Sequence, residues 1–262
     1  VHRDVQLPWA IEDWRTLPAN QQDDQWFSFQ QEDRARPLIL TDVPVMRFSL
    51  VRLAERTWNF MWSVPAILLD GWSWPMVFRD VSEFYEAFCG ELAPQLEPVR
   101  PYRDYLGWLA RQSSDDAHTF WRNSLAGFYE PTSMPSEPPA QDTCDSEYAE
   151  HVVQLSADTT TTLQSIARNL QITLNTLVQV AWALILNRQT RKADVVFGAA
   201  FSGRPTDLTG AESIVGPFVN NLPVRVKVNP TMTTAELLRT LHRQLLEMSS
   251  FQFTPLMEIQ RV

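Results

Sequence analysis

Glycine and cysteine are scarce in this sequence, and each shortage excludes a class of protein. Eight of the 262 residues are glycine, less than half of the usual share of about 7%. A fold that binds phosphate groups on glycine-rich loops is therefore disfavoured. The two cysteines, Cys89 and Cys144, have no metal-ligand spacing and are too few for a disulfide scaffold. A reducing cytoplasm is the expected compartment.

Long apolar runs, a signal-like segment and an excess of positive charge are also missing. No run approaches the roughly 18 apolar residues that a membrane-spanning helix needs. The formal net charge of −9 disfavours nucleic acids and anionic membranes as partners. The sequence starts at Val1 without a methionine and stops at Val262, so we expect an internal piece of a longer protein. The hydrophobic share of 44% is ordinary for globular protein.

Familiar catalytic and metal-binding signatures are absent as well. The sequence has no Gly-x-Ser-x-Gly, no His-Glu-x-x-His, no Walker loop and no dinucleotide-binding fingerprint. The histidines are scattered and have no carboxylate or thiol at ligand spacing, so we expect surface or capping histidines and no metal site: His2, His118, His151 and His242.

Hydrophobic periodicity predicts a mixture of helices and strands. Residues 45–53 and 57–63 alternate apolar and polar side chains and are expected to pair as a hairpin. Residues 7–18 suggest irregular structure, and residues 20–34 a solvated loop or helix. Further strands are predicted at 151–155, 194–201 and 223–228. Helices are predicted at 75–92, 102–128 (one or two), 157–169, 173–187 and from the capping box Thr233-x-x-Glu236 to about 248.

Two of these helices carry predicted apolar faces. The helix at 75–92 places Val77, Val81, Phe84, Tyr85 and Phe88 on one face. The helix at 173–187 is apolar nearly all round and should be buried. Its expected core face comprises Leu177, Val180, Ala181, Leu184 and Ile185.

A proline-rich stretch predicts the domain organisation. Residues 131–145 contain four prolines and no periodic apolar pattern, which is typical of a linker. The predicted division is a first lobe at 1–130, a linker at 131–147 and a second lobe at 148–262. The mixed order of elements predicts an α/β (mixed α+β) fold in two lobes.

One segment is a candidate for chemistry, the run Trp62-Ser63-Val64-Pro65-Ala66-Ile67-Leu68-Leu69-Asp70-Gly71-Trp72-Ser73. A strand that ends in Asp-Gly and turns directly into a helix presents polar groups well at a cleft. The alternative from the residues alone is an ordinary strand-to-helix turn.

This segment resembles the His-His-x-x-x-Asp-Gly motif, followed by Trp-Ser, of condensation domains from non-ribosomal peptide synthetases. Pro65 and Ala66 occupy the two histidine positions, and Asp70 and Gly71 match the Asp-Gly. Other blocks of the family match in order and spacing, although the last lacks the family's histidine. They are Met46–Leu50, Tyr102–Trp108, Phe120-Trp121, Ser202-Gly203-Arg204-Pro205, the block from Ile214 to Arg225, and Phe253–Leu256.

The resemblance implies a fold similar to chloramphenicol acetyltransferase, with two lobes and a tunnel between them. Relative to that fold, the chain is expected to be an incomplete fragment that lacks much of the opening strand and helices and stops short of the final strands. The implied reaction joins an upstream carrier-bound acyl or peptidyl thioester to a downstream carrier-bound amine. Both substrates are held on phosphopantetheine arms of carrier domains beside an adenylation domain, and the chain itself is expected to bind no cofactor.

The resemblance also implies residue roles. Asp70 is expected to form a salt bridge with Arg47, and Gly71 to allow a close backbone approach. Trp72, Ser73, Ser202 and Asn220 are expected to line the tunnel, and Arg225 to be structural. The catalytic position is Ala66, beside Pro65, and an alanine cannot accept or donate a proton.

The departure at Pro65-Ala66 leaves two explanations open. Ala66 is either an engineered replacement of the catalytic histidine or a natural feature of a degenerate domain. Activity is therefore expected to be weakened or absent. The alternative function is a non-catalytic module of the same fold that holds carrier proteins or recruits a partner. A third possibility is an acyltransferase outside peptide synthesis.

Overall fold

The computed structural model describes residues 4–134 and 152–262. The chain forms two compact units. The first contains the residues up to Asp104 together with Thr209–Phe218, and the second contains Tyr105–Leu208 and Val219–Val262. This division places residues 105–130 in the second unit and residues 209–218 in the first, and the predicted lobe boundaries stay a prediction. Most of the predicted linker, 135–147, lies outside the described residues, so that prediction stays untested.

The first unit is built on a small mixed sheet. Its elements are β1 (Trp9–Asp13), α1 (Ala19–Ala35), β2 (Arg47–Arg52), β3 (Trp58–Ser63) and α2 (Ser73–Cys89), and α3 (Tyr102–Leu109) spans the division between the units. The strand order is β1-β2-β3; β1 runs parallel to β2, and β2 runs antiparallel to β3. The predicted hairpin is confirmed.

One face of this sheet is aromatic. Trp9, Phe48 and Trp62 share the face because Phe48 is paired with Trp9 on one side and with Trp62 on the other. Their rings stack at centroid distances of 4.8 Å and 5.5 Å. Trp74 of α2 meets Trp62 edge-on at 4.7 Å. These contacts fix the start of α2 against the end of β3, which is where the candidate motif lies.

One prediction for the first unit is wrong, because residues 9–13 form β1 within the stretch that was expected to be irregular. The predicted apolar face of α2 is largely exposed, since Tyr85 and Phe88 are 71% and 74% exposed. The buried residues of α2 are Ser73 and Ala87.

The second unit packs helices against a two-stranded sheet. Its elements after α3 are α4 (Ser114–Leu125), α5 (Ala157–Leu170), α6 (Leu174–Thr190), β4 (Asp194–Phe201), β5 (Asn220–Lys227), α7 (Thr234–Ser249) and α8 (Leu256–Ile259). Strands β4 and β5 are antiparallel. The predicted capping box at Thr233 and Glu236 is present and begins α7.

A single hydrophobic core holds this unit together. It is formed by α4 to α8 and by the inward residues of β4 and β5, and its fully buried members include Trp121, Ala183, Val195, Leu222, Val224 and Met248. Helix α6 contributes five buried residues that share one face, since each lies three or four positions from another: Thr176, Gln179, Val180, Ala183 and Leu186.

Two predictions for the second unit also need correction. The expected core face of α6 included Leu184 and Ile185, which are 37% and 47% exposed. The strand expected at 151–155 does not form over residues 152–155, and His151 lies outside the described residues.

Among the described helices, none alone is long and apolar enough to cross a membrane. Helices α5 and α6 meet that test only together, and they are bent by 101° relative to each other.

Candidate functional site

The candidate motif forms a tight turn between β3 and α2. Strand β3 ends at Ser63, and the amide of Leu68 donates a hydrogen bond of 3.0 Å to the carbonyl oxygen of Pro65. This bond places Ala66 and Ile67 at the two central positions of a β-turn. Both are exposed. The residue at the histidine position therefore presents only a methyl group to its surroundings.

Asp70, four residues further on, is a buried hydrogen-bond acceptor. The residue is 5% exposed. Oδ1 accepts hydrogen bonds from the amide and the hydroxyl of Ser73, at 2.8 Å and 2.7 Å. Oδ2 accepts one from the amide of Phe218 at 3.2 Å. These contacts begin α2 and tie its first turn to the segment Thr209–Phe218 of the same unit.

Ser73 completes this connection. It has no exposed surface, and its Oγ accepts a hydrogen bond from the amide of Gly216 at 3.0 Å. The same hydroxyl lies 3.0 Å from the carbonyl oxygen of Gly216. A side chain with no accessible surface does not line a tunnel, so we assign Ser73 to the scaffold and correct its predicted place on the tunnel wall.

Tyr102 and Trp72 hold the same segment from two other positions. The hydroxyl of Tyr102 donates to the carbonyl oxygen of Pro217 at 2.8 Å, and its ring packs edge-on against Phe218. The indole of Trp72 donates to the carbonyl oxygen of Glu212 at 3.3 Å, although the residue is 58% exposed. Trp72 thus keeps an accessible indole face, as a tunnel-lining residue requires.

Arg47 does not form the expected salt bridge with Asp70. Its Nε lies 2.9 Å from Oδ1 of Asp33, and both side chains are 14% exposed. Its terminal nitrogens donate to the carbonyl oxygens of Asp33, Arg36 and Pro37 at the end of α1. Asp33 also accepts a hydrogen bond from the hydroxyl of Ser63. The physical reason for the correction is that α1 ends directly beside the first residue of β2.

The charge of Asp33 reflects these contacts. Burial alone would raise the pKa of the Asp33 carboxyl, but the hydrogen bonds from Arg47 and Ser63 outweigh burial and lower the pKa below its usual value of 3.8. The carboxylate is therefore ionised at neutral pH and pairs with the guanidinium of Arg47.

The remaining site candidates lie in the second unit. Ser202 is exposed. The side-chain amide of Asn220 donates to the carbonyl oxygens of Gln252 and Thr254, at 2.9 Å and 2.7 Å, so its N–H groups stabilise that loop. Whether Ser202 and Asn220 line a tunnel stays a prediction.

Gly71 of the motif lies in open surroundings. A Cβ added at this position would meet no atom within 4 Å. Within residues 4–134 and 152–262 no group packs closely on this glycine, and the predicted close approach would have to come from a substrate.

Arg225 is held by internal contacts. Its guanidinium forms a two-pronged ion pair with Asp194, at 2.9 Å and 2.7 Å, and donates to the carbonyl oxygens of Ser124 and Ala126. The hydrogen bonds with Arg225 lower the pKa of Asp194, and the same bonds raise the pKa of Arg225. These contacts join β4, β5 and the end of α4.

The histidines that the structure describes, His118 and His242, each contact a polar side chain. Nε2 of His118 lies 3.3 Å from Glu258, and Nδ1 of His242 lies 3.2 Å from the hydroxyl of Thr176. No group of three metal-ligating side chains occurs within residues 4–134 and 152–262.

Sequence reasoning missed two features of the site. The first is Asp33 as the partner of Arg47 and Ser63. The second is the role of Gly216 and Phe218 as backbone partners of Asp70 and Ser73. The resemblance marks the block that contains residues 214–218, but no local pattern indicates that it contacts a motif more than 140 residues away.

Comparison with known proteins decides the family. A family model described as the condensation domain matches residues 1–262. The chain belongs to the condensation-domain family. The resemblance inferred from the motif blocks is thereby confirmed, including its extent over the whole chain.

The related proteins are large peptide synthases. This condensation domain is 42% identical over 260 residues to a component of the linear gramicidin synthase of Brevibacillus parabrevis; the match covers 99% of this chain and 3% of that protein. It is 32% identical over 232 residues to tyrocidine synthase 2 of the same organism, covering 88% of this chain and 6% of that protein. The chain thus spans a small part of each relative.

Solved structures confirm the fold. The first condensation domain of the CDA synthetase is similar with a TM-score of 0.75 at 20% identity, covering 98% of this chain and 57% of that chain. The X-domain from teicoplanin biosynthesis gives a TM-score of 0.75 at 25% identity, with the same coverage. The predicted mixed α/β, chloramphenicol-acetyltransferase-like fold is correct.

A four-domain nonribosomal peptide synthetase also matches, at a TM-score of 0.73 and 18% identity over 98% of this chain and 19% of that chain. Condensation domains therefore occur within multidomain synthetases.

Proposed function

We propose that this condensation domain forms amide bonds between two carrier-bound substrates, and that it does so slowly. The nitrogen of the downstream amine attacks the carbonyl carbon of the upstream acyl or peptidyl thioester. The new C–N bond forms and the C–S bond breaks. The sulfur leaves as the free thiol of the upstream carrier, because it takes up the proton that the amine loses.

The observation that supports a slow reaction is the turn at Pro65–Leu68. Its scaffold is intact, because Asp70 is buried and fixed by donors on Ser73 and Phe218. Its exposed centre, however, carries the methyl group of Ala66 in place of an imidazole. Losing a positioned acid or base costs roughly 10²- to 10⁴-fold in rate. The orientation of two tethered reactants supplies about 7–11 kcal/mol in favourable cases, so some turnover is expected.

The proposal extends to partners and location. The substrates arrive on phosphopantetheine arms of an upstream and a downstream carrier domain, beside an adenylation domain, and the reaction takes place in the cytoplasm. The support is the family membership and the low cysteine content. Trp72, Ser202 and Asn220 remain the proposed lining of the substrate tunnel.

A second function is favoured by one specific observation, the proline at residue 65. Pro65 has no N–H group and fixes its own φ angle, so this turn differs from one that carries a histidine at the same place. A domain shaped in this way would hold carrier proteins or recruit a partner without forming bonds itself.

The decisive experiment restores the imidazole. The purified protein that contains this chain is assayed with an acylated upstream carrier and an aminoacylated downstream carrier, and products are followed by intact-protein mass spectrometry. If position 66 is the catalytic position, Ala66→His should raise product formation by roughly 10²-fold or more. The matched control is Ile67→His, which places an imidazole at the other exposed central position of the turn.

Each outcome separates the two functions. A gain with Ala66→His but not with Ile67→His supports the proposed reaction. No product from the parent or from either variant, with carrier binding retained in a pull-down of the same carriers, supports the non-catalytic module. Fast turnover by the parent, equal to that of Ala66→His, would overturn the proposal that the alanine slows the reaction.

A further inference from the structure

The turn that carries Ala66 is anchored by a carboxylate on each side, the buried Asp70 and the partly buried Asp33. On the side towards α2, Asp70 is fixed by hydrogen bonds from Ser73 and from the amide of Phe218. On the side towards β3, the hydroxyl of Ser63 donates a hydrogen bond to the carboxylate of Asp33. The six residues 64–69 span the distance between these two anchors, and the hydrogen bond from Leu68 to Pro65 closes the turn between them.

The anchor at Asp33 is fixed by an ion pair with Arg47 and by the hydrogen bond from Ser63. Asp33 and Arg47 are each 14% exposed, and the Nε–Oδ1 distance is 2.9 Å. Arg47 is in turn immobilised by three carbonyl oxygens at the end of α1, at 2.9–3.2 Å. Charge-assisted hydrogen bonds in such a network are stronger than neutral ones. The network joins the end of α1, the first residue of β2 and the last residue of β3.

The sheet register explains why this network acts on the turn. Arg47 and Ser63 are directly opposite each other on β2 and β3, so one carboxylate reaches both. Beyond Ser63 the strand pairing ends, and Pro65 restricts the backbone further. Only two residues separate Ser63 from Ala66. Any shift of Ser63 is therefore passed to Ala66 with little backbone freedom to absorb it.

We propose that Asp33 is a positioning residue, which sets the place of residue 66 by holding Ser63 and Arg47. The effect of Asp33 on catalysis rests on the proposed function. Its effect on the position of residue 66 does not. Asp33 would take over, from α1 between β1 and β2, the pairing with Arg47 that the motif aspartate was expected to supply.

The first test measures the turn directly by hydrogen exchange. In the purified protein, Asp33→Asn should speed the exchange of backbone amides within residues 64–69 by roughly tenfold, the factor expected when one hydrogen bond to a charged group is lost. Exchange in β5 of the second unit should not change. The matched control is Asp13→Asn, which removes another Asp–Arg pair of the same unit, formed with Arg15 at the end of β1.

A second pair of variants covers the case in which Asp33→Asn fails to fold. Ser63→Ala removes the hydroxyl that binds Asp33, whereas Ser63→Thr keeps it. The turn should exchange faster in Ser63→Ala and should be restored in Ser63→Thr. Unchanged exchange at 64–69 in Ser63→Ala, or an equal increase throughout both units, would overturn the proposal.

The activity readout distinguishes this proposal from the proposed function. In the Ala66→His protein, Asp33→Asn should lower kcat by roughly tenfold while KM stays the same, since positioning affects the reacting geometry and not substrate binding. If Ala66→His is inactive, the proposed function fails, yet the exchange result still decides the role of Asp33. A rise in KM with kcat unchanged would count against positioning.

Discussion

The backbone of Gly216 lies directly against the ring of Tyr102, and that ring has little freedom to move away. A Cβ added at Gly216 would lie 2.3 Å from Cδ2 of Tyr102. The ring is held at its hydroxyl by Pro217 and on its edge by Phe218. The close approach is what brings the amide of residue 216 to Ser73. A glycine at this position is therefore required by packing rather than by an unusual backbone angle.

We expect Gly216→Ala to lower the free energy of unfolding by about 1–3 kcal/mol, the usual cost of forcing an extra group into a packed site. Urea denaturation followed by fluorescence measures the change. Gly71→Ala is the matched control, because an added Cβ there meets no atom within 4 Å. Its unfolding midpoint should stay within error of the parent. Equal midpoints for the two variants would contradict this account of Gly216.

Single residues also show where sequence reasoning reaches its limit. The Asp-Gly-Trp-Ser run stands out as a strand-to-helix turn, and the structure places it there. The partners of its residues could not be derived locally. Asp70 meets an amide 148 residues away, and the sequence offers Arg47 more than one carboxylate as a partner. Only the path of α1, which ends beside β2, selects Asp33.

At the scale of elements, α6 shows how an apolar pattern misleads. Its sequence is apolar nearly all round, so periodicity does not select which stripe faces the core. The structure buries the stripe that contains Ala183 and Leu186 and leaves Leu184 and Ile185 partly exposed. The predicted face is turned around the helix axis by roughly one residue step. The error concerns orientation, not the existence of the helix.

This correction yields a prediction with a control on the same helix. Leu186 is 3% exposed and belongs to the core, whereas Leu184 is 37% exposed. Leu186→Ala should lower the free energy of unfolding by about 2–5 kcal/mol, as core leucines do. Leu184→Ala should cost well under half as much. Chemical denaturation of the two variants measures the difference, and a larger loss for Leu184→Ala would show that the orientation is wrong.

Other elements differ in how clearly the sequence predicts them. The hairpin of β2 and β3 and the capped helix α7 follow from alternation and from a side-chain cap, both of which are local signals. Strand β1 is short, begins directly after Pro8 and gains its stability by pairing with β2, which is a long-range contact. Residues 152–155 show the opposite case, because Val152 and Val153 are strand formers that have no strand partner among the described residues.

At the scale of the whole molecule, acidic side chains outnumber basic ones by 31 to 22. Several carboxylates nevertheless have specific partners in the folded state. Hydrogen bonds from nearby residues outweigh burial and lower the pKa of five carboxyl groups: Asp13 (to about 2), Asp33, Glu130, Asp194 and Glu236. These five groups are therefore ionised at neutral pH, and each contributes its charge to a defined contact of the fold.

These shifts determine how stability depends on pH. A carboxyl whose pKa is lower in the folded state than its unfolded value of 3.8 (Asp) or 4.5 (Glu) stabilises the fold while it is ionised. Below those values the unfolded state takes up more protons, so stability must fall with falling pH. We expect urea midpoints to be flat from about pH 7 to about pH 5 and to decline steeply below about pH 4.

The double variant Asp33→Asn, Asp194→Asn should have a lower urea midpoint at neutral pH and a smaller decline at acidic pH. The reason is that these two partly buried carboxylates contribute most, whereas exposed pairs are screened by solvent. A midpoint that stays constant or rises below about pH 4 would refute the assignment of these ion pairs.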